Sequence, residues 1–179
     1  NINIKNHEDL KKILNIKSLG IIPNDDSIYF DKKNKKKSSL NTTKIRVIND
    51  SSSITSEAYR MVRTNLDYLD LKVINFTSTS VGEGKSETIV NVATSFAMIG
   101  KKVLLIDCDL RKPKVHKNFN LNRAMGLTDI LVYDRVSEYQ KIIQSFKIIN
   151  TKYKVDILSA GSKVSNPSEL LSSKTFNDL

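Results

Sequence analysis

With 179 residues, 39% of them hydrophobic and 27% charged, the chain can bury one core and has the composition of a globular protein, which excludes a disordered or membrane-spanning one. Its net charge of +10 would suit nucleic acid, an anionic membrane surface or phosphorylated ligands. Much of the excess comes from five lysines between positions 32 and 37 with no aromatic residue interleaved among them. This pattern is more typical of a solvated linker, so we expect no nucleic-acid partner.

The first 50 residues form a segment that differs in composition from the rest of the chain. Helical spacing predicts a short helix over 6–15, and residues 18–23 should form a brief extended segment that Pro23 stops. Residues 24–44 are rich in Asp, Asn, Lys and Ser, which predicts a flexible linker. A short strand is predicted at 45–48. We therefore divide the chain into a segment 1–50 and a domain 51–179.

The domain should begin with a helix over 57–71, capped by Ser53 or Ser56. Its apolar stripe consists of Ala58, Val62, Leu66 and Leu69. Three-residue steps rotate only about 60° each, so one arc of its polar side carries Glu57, Arg60 and Arg63. These three charges can act as one patch.

A strand, a loop, a helix and a second strand follow in order. The first strand ends near Thr77, and the helix after the loop stops at Gly100. The second strand covers 102–107, and its continuously apolar middle predicts that it is buried on both faces of the sheet. Further on, the pattern predicts helices over 126–132 and 136–146, a strand over 154–159 and a helix from Pro167. This order predicts a right-handed βαβ unit in an α/β, doubly wound, mainly parallel sheet like that of P-loop NTPases.

The loop after the first strand has the features of a phosphate-binding loop. Glycines 82 and 84 allow close backbone approach, Lys85 neutralises phosphate oxygens and Ser86 offers a hydroxyl to Mg²⁺. The residues expected to surround the nucleotide are Ser80, Val81, Gly82, Glu83, Gly84, Lys85, Ser86 and Glu87. Thr79 departs from the consensus glycine, and a chance Gly-Lys-Ser turn is the alternative; the position between a strand and an amphipathic helix favours phosphate binding.

Two acids follow the second strand. In an open parallel sheet, ligands bind at the carboxyl ends of strands, so Asp107 and Asp109 should lie beside the phosphate loop. One carboxylate could hold Mg²⁺ through water and the other could accept a proton, although a strand-ending aspartate can also be a simple turn cap.

Several motifs together resemble the bacterial tyrosine kinases (BY-kinases) of capsule and exopolysaccharide assembly. They are the Glu-x-x-Arg-x-x-Arg run from Glu57, the loop ending in Lys85-Ser86, the segment Asp107-Cys-Asp109-Leu-Arg-Lys-Pro113, and Asn166-Pro-Ser-Glu-Leu-Leu171. The opening residues 8–23 resemble the cytoplasmic, juxtamembrane tail of the associated chain-length-determinant domain.

The resemblance implies a role for each motif. It implies Lys85 and Ser86 as Walker A ligands of ATP and Mg²⁺, Asp107 as a further metal ligand, and Lys85, Asp107 and Asp109 as catalytic residues. It also implies that Glu57, Arg60 and Arg63 mediate ring-like self-association. The implied activity is ATP-dependent protein-tyrosine autophosphorylation at the cytoplasmic face of the bacterial plasma membrane, with a fused or separate chain-length-determinant domain as partner.

Two alternatives stay open. A partitioning-type P-loop ATPase would carry a signature lysine where this chain has Ser80, and a non-catalytic nucleotide-binding regulator of polysaccharide assembly would use the same binding groups. The Walker B strand and the tyrosine cluster of the kinases are missing from the sequence, so we expect them beyond Leu179 and expect the kinase domain here to be incomplete.

Overall fold

A computed structural model describes residues 45–179, residues 15–23 and the single residues Asp9 and Lys12. Within this part, the helices are α1 (Arg46–Asn49), α2 (Ile54–Asp67), α3 (Lys85–Met98), α4 (Val115–Asn118), α5 (Leu127–Tyr133), α6 (Tyr139–Ile142), α7 (Pro167–Leu171) and α8 (Lys174–Asn177), with a 3₁₀ turn at Val136–Glu138. The strands are β1 (Leu104–Ile106), β2 (Gln144–Lys147) and β3 (Lys154–Leu158).

The three strands form one sheet in the order β1-β3-β2. Strand β1 runs parallel to β3, with Leu105 opposite Ile157, whereas β2 pairs antiparallel with β3, with Phe146 opposite Val155. Because β1 and β3 are parallel, their carboxyl ends meet at one edge of the sheet. The α/β class predicted from the sequence is confirmed, and this edge is where the site lies.

The main core lies between α2, α3 and the sheet. Its largest fully buried members include Phe119, Ile157 and Val90. Helix α2 turns Tyr59, Val62 and Leu66 into this core, as helical periodicity requires. The predicted cap is confirmed, since the Ser53 hydroxyl accepts a hydrogen bond from the Ser56 amide at 3.2 Å.

The strand predicted at 45–48 is wrong, because these residues begin the helical turn α1. Ile45 and Val47 are buried two positions apart, which in the sequence resembles strand alternation. In the structure, α2 and α3 both contact α1 and bury these residues in a single turn.

The strand predicted before the phosphate loop is also wrong. Val73 is exposed while Ile74 and Phe76 are half-buried against the core, so the alternation of a strand is present. A strand needs a hydrogen-bonded neighbour, however, and none of the described residues supplies one for 72–77. The predicted βαβ unit is therefore replaced by the parallel pair β1 and β3.

Strand β1 is covered on one face only, contrary to the prediction. Leu105 is buried, but Leu104 and Ile106 are 46% and 37% exposed. In this sheet β1 is an edge strand, so one of its faces and one of its edges lack the cover that a central parallel strand has.

In the second half of the chain, α5 and β3 confirm the predictions at 126–132 and 154–159. The helix predicted over 136–146 ends at Ile142, and β2 takes its place because pairing with β3 is available. The final helix is broken between Leu171 and Lys174, where the Ser173 side chain caps α8.

The amino-terminal predictions are tested in part. Residues 18–23 have no regular secondary structure but pack against α2, where the Asn65 side-chain amide donates to the Leu19 carbonyl at 2.7 Å. Most of the helix predicted at 6–15, and the whole linker at 24–44, lie outside the described residues; Asp9 and Lys12 are helical. Among the helices described, none is long and apolar enough to cross a membrane.

Candidate functional site

The phosphate loop is an exposed turn that leads directly into α3. Gly82 and Gly84 have φ angles of +94° and +85°, the left-handed region that side chains other than glycine rarely adopt. No atom lies within 4 Å of a Cβ built at either glycine, so the constraint there is backbone conformation and not crowding. Gly84 is the N-cap of α3 and its carbonyl accepts from the Thr88 amide at 2.8 Å.

Thr79, which replaces the consensus glycine, closes the loop through Glu83. The Glu83 carboxylate accepts from the Thr79 hydroxyl at 2.8 Å and from the Thr79 amide at 3.0 Å. The hydrogen bond from the Thr79 side chain is the main cause that lowers the pKa of Glu83 below its usual range, and the Ser80 amide adds to it. The departure at Thr79 thus supplies a hydroxyl that a glycine would lack.

Lys85 and Ser86 lie in the first turn of α3, where unpaired amide groups and the helix dipole favour an anion. The Lys85 ammonium lies 3.5 Å from an Asp109 carboxylate oxygen. Both side chains are about one-third exposed, so solvent can reach the pair. The structure therefore brings together the lysine of one predicted motif and an acid of the other.

Asp107 is buried at the end of β1, with 5% of its surface exposed. Its two carboxylate oxygens accept from the amides of Asp109 and Val115, each at 3.2 Å. Burial raises the pKa of Asp107; the two amide bonds and Lys85 oppose this rise, and the charge of Asp109 adds to it. Asp107 thus holds the turn that carries Asp109.

The donors near the loop fit Mg²⁺ by their chemistry. The Ser86 hydroxyl and the Asp107 carboxylate are the hard oxygen ligands that this ion prefers, and Mg²⁺ usually keeps several water or phosphate oxygens as well. In the part of the chain that is described, no group of three or more His, Cys, Asp and Glu side chains could hold a metal ion.

Glu87, predicted as a nucleotide neighbour, has its carboxylate 2.7 Å from the Arg46 guanidinium of α1. A second bond joins the same elements, since the Val47 amide donates to the Asn91 side chain at 3.1 Å. Tyr59 of α2, nearly fully buried, has its pKa raised to about 12, chiefly by burial and then by the Glu87 charge. Helices α1 and α2 are thus fastened to the first turns of α3.

Sequence reasoning missed Arg46 and Tyr59. Arg46 lies in a segment predicted as a strand, about 40 positions before its partner, and no local pattern links two residues so far apart. Tyr59 lies next to the predicted apolar stripe of α2, and its aromatic ring beside Val62 was the available signal.

The Glu57, Arg60 and Arg63 patch lies on α2. Arg60 pairs with Glu57 at 3.3 Å and also donates to the Ser51 carbonyl at 2.9 Å. Arg63 donates to the Thr64 hydroxyl at 3.0 Å, and its buried Nε has no hydrogen-bond partner among the described residues. Glu57 and Arg60 are therefore brought together, while the Nε atom of Arg63 is buried.

Comparison with known proteins identifies relatives of the chain. The family model of the CobQ/CobB/MinD/ParA nucleotide binding domain matches residues 74–166, just over half of the chain. The tyrosine-protein kinase YwqD of Bacillus subtilis (strain 168) is 48% identical over 103 residues, which are 58% of this chain and 41% of YwqD. This chain thus spans well under half the length of that curated relative.

Solved structures agree with the sequence relatives. The chimerical protein CapA2B2 superposes with a TM-score of 0.74 at 31% identity, covering 97% of this chain and 68% of that one. The BceF tyrosine kinase domain superposes with a TM-score of 0.80 at 26% identity, covering 98% and 69%. The resemblance to bacterial tyrosine kinases and the P-loop NTPase-like fold are confirmed.

Proposed function

Because the chain belongs to the family of CobQ/CobB/MinD/ParA nucleotide-binding domains, we propose that it is an ATP- and Mg²⁺-dependent kinase domain that transfers the γ-phosphate to protein tyrosine. The observation that best supports this activity is the 3.5 Å approach of Lys85 to Asp109, which joins a phosphate-binding lysine to an acid. The names of the relatives, tyrosine kinases in both comparisons, support the choice of acceptor.

Each residue of the site has a proposed role. Loop amides and Lys85 bind and neutralise the phosphates, and Ser86 with Asp107 holds Mg²⁺, which when bound neutralises further phosphate charge. Asp107 would hold Mg²⁺ together with Ser86, so Asp109, which lies beside Lys85, would accept the proton of the acceptor hydroxyl. Phosphoryl transfer needs little covalent help, so positioning and charge supply most of the rate.

The cellular role is proposed from the same relatives. We place the protein at the cytoplasmic face of the bacterial membrane, where it would control the length and export of capsular or exopolysaccharide chains with a chain-length-determinant domain. The division into a juxtamembrane segment 1–50 and a kinase domain 51–179 belongs to this proposal. The packing of residues 18–23 on α2 supports a segment that ends close to the kinase domain.

The experiment replaces Lys85 in the full-length protein. We expect Lys85→Met to abolish phosphotyrosine, measured by immunoblotting and mass spectrometry, because the phosphates lose their neutralising charge. Lys147→Met on β2 is the matched control and should leave labelling unchanged. Labelling that persists in Lys85→Met would show that the loop assignment is wrong.

The same preparation separates the kinase from its alternatives. A partitioning-type ATPase would release inorganic phosphate from ATP without labelling tyrosine, and a non-catalytic regulator would bind nucleotide without either reaction. The presence of Ser80 at the signature-lysine position favours the kinase over the partitioning ATPase.

A further inference from the structure

A strip of positive charge begins where the site ends. Between Leu110 and Thr128 the chain contains no Asp or Glu. Five cationic residues lie in this stretch, and we refer to them as the basic strip: Arg111, Lys112, Lys114, Lys117 and Arg123. The first four are exposed and Arg123 is half-buried.

The charges of the basic strip are not neutralised within the described chain. Some other described cations have carboxylate partners, as Lys85 has Asp109 and Lys101 has Asp67. No member of the basic strip forms an ion pair with any carboxylate of residues 15–23 or 45–179. Unpaired like charges repel one another, and an external anion relieves that repulsion.

The basic strip is held against the acids of the site. The Lys112 amide donates to the Asp109 carboxylate at 3.0 Å, so the strip starts on the turn that contacts Lys85. The Val115 amide donates to Asp107, which anchors the start of α4 to the same turn. The strip therefore borders the edge at which a phosphoryl acceptor would have to arrive.

The far end of the strip folds back onto α4. The Leu121 amide donates to the His116 carbonyl at 2.9 Å, which returns the chain toward the helix. The charges of Arg123 and Lys117 both act on buried His116 and, after burial itself, lower its pKa. Arg123 and Lys117 therefore both lie close enough to His116 to influence it, which brings the far end of the strip back to α4.

We propose that the basic strip docks the acidic flank of a tyrosine-containing peptide and so selects acid-flanked tyrosines as acceptors. This inference rests on the proposed kinase function and names its substrate class. Carboxylates beside the tyrosine complement the strip, and they bring the hydroxyl to the edge that holds Lys85 and Asp109. The chain's own sequence offers an example, since Asp25, Asp26 and Asp31 flank Tyr29.

A membrane fits the strip less well than a peptide. An anionic bilayer is also attracted by lysine and arginine. A flat bilayer laid on the strip would, however, also press on the turn of Asp109, which contacts Lys85 beside the exposed phosphate loop. A narrow peptide can occupy the strip and leave that edge open to nucleotide.

The test measures binding, so that it does not depend on catalysis. A fluorescent peptide with the sequence of residues 24–31 and Tyr29→Phe is titrated with the full-length protein by anisotropy, and the matched control peptide has its three aspartates replaced by Asn. We expect the acidic peptide to bind about tenfold more tightly, with a difference that shrinks as salt rises.

Variants of the protein then locate the binding. The double variant Lys114→Glu, Lys117→Glu should bind the acidic peptide roughly tenfold more weakly than the unaltered protein does. Its affinity for the control peptide should fall by less than about twofold. Lys147→Glu with Lys152→Glu, exposed at the opposite end of the sheet, is the charge-matched control and should change neither. Lys114→Gln with Lys117→Gln, a milder pair of changes, repeats the test if the reversals impair folding.

Three results would overturn the proposal. One is equal affinity for the acidic and control peptides. The second is a loss of ATP affinity in the Lys114→Glu, Lys117→Glu protein as large as its loss of peptide affinity, which would assign the strip to the nucleotide. The third is binding to phosphatidylserine vesicles that depends on these lysines while peptide binding does not. Failure of the kinase function would appear separately, as the absence of phosphotyrosine in the unaltered protein.

Discussion

The Asp107 carboxylate illustrates how one buried group can serve both the fold and the chemistry. Two backbone amides hold it at the end of β1, and burial is the largest influence on its pKa, which is raised. An aspartate with a raised pKa stabilises the native state below its unfolded pKa and loses that contribution as the pH rises through the folded value. At neutral pH its charge therefore lowers stability.

Because the raised pKa makes the charged Asp107 destabilising, we predict how the stability of Asp107→Asn depends on pH. As the pH rises from about 4 to 7, the melting temperature of the unaltered protein should fall relative to that of the variant, because only the former buries a new charge. Thermal unfolding across that pH range measures the difference. In the same variant, phosphotyrosine formation should fall by about 10²-fold or more, because the proposed Mg²⁺ site loses its carboxylate. A difference in melting temperature that does not vary with pH would contradict the buried-charge argument.

The pKa of Glu83 is shifted in the opposite direction from that of Asp107. Its pKa is lowered, so its bonds to Thr79 are present above the usual pKa of a glutamate and are lost as the pH falls through the lowered value. The closed form of the loop therefore persists throughout the neutral range.

At the scale of elements, the link between α1 and α3 is the feature with the clearest consequence. The Arg46 guanidinium is 16% exposed and Glu87 is 43% exposed, so solvent screens the pair only partly. The pair orients the helix whose first turn carries Lys85 and Ser86. Arg46 is thus a positioning residue for the phosphate loop.

We predict that Arg46→Ala weakens nucleotide binding by about two- to fivefold, the effect of losing roughly 0.5–1 kcal/mol. Calorimetric titration with ADP measures it, and Arg46→Lys should restore part of the affinity. Arg46→Ala and Glu87→Gln should be non-additive, because each removes the same pair. Fully additive losses would show that the two residues act independently.

The elements that sequence reasoning predicted are those whose evidence is local. Helix α2 has its stripe and its Ser53 cap within one segment, and β3 is a short apolar run with clear boundaries. Strand β2 was missed, and a strand was wrongly predicted at 72–77, because a strand depends on a neighbour that the local sequence does not reveal.

In the candidate site, too, some features could be predicted from local sequence and others could not. The loop glycines, Lys85 and Asp109 could be named from motif and strand-end position, and Lys85 does approach Asp109 although the strand predicted before the loop is not formed. The pairing of Glu87 with Arg46, and the closure of the loop by Thr79 and Glu83, depend on side-chain geometry that spacing alone does not specify.

At the level of the whole molecule, α2 presents an exposed face that combines apolar and charged side chains. The exposed face near Glu57 and Arg60 also carries Ile54 and Met61, which are 81% and 55% exposed, and at its end Tyr68, which is 87% exposed. Exposed apolar residues rimmed by charges are typical of protein interfaces. This face supports, as a proposal, the ring-like self-association implied by the resemblance.

We predict that Arg60→Ala with Arg63→Ala shifts the full-length protein toward the monomer in light scattering, because the charges that border this face are lost. Arg135→Ala, which removes a guanidinium lying 5.3 Å from the Tyr133 ring, is the matched control. An unchanged mass in the double variant would remove the interface role of the two arginines.

The order of strands in the sheet also bears on how the molecule folds. Strands β2 and β3 are joined by a short connection, whereas β1 reaches β3 only across about fifty residues, as in the pairing of Leu104 with Asp156. Closing the longer loop costs more chain entropy and is slower. The β2–β3 hairpin should therefore gain amide-exchange protection first, and Asp107 at the end of β1 should reach the edge shared with β3 only in a later step of folding.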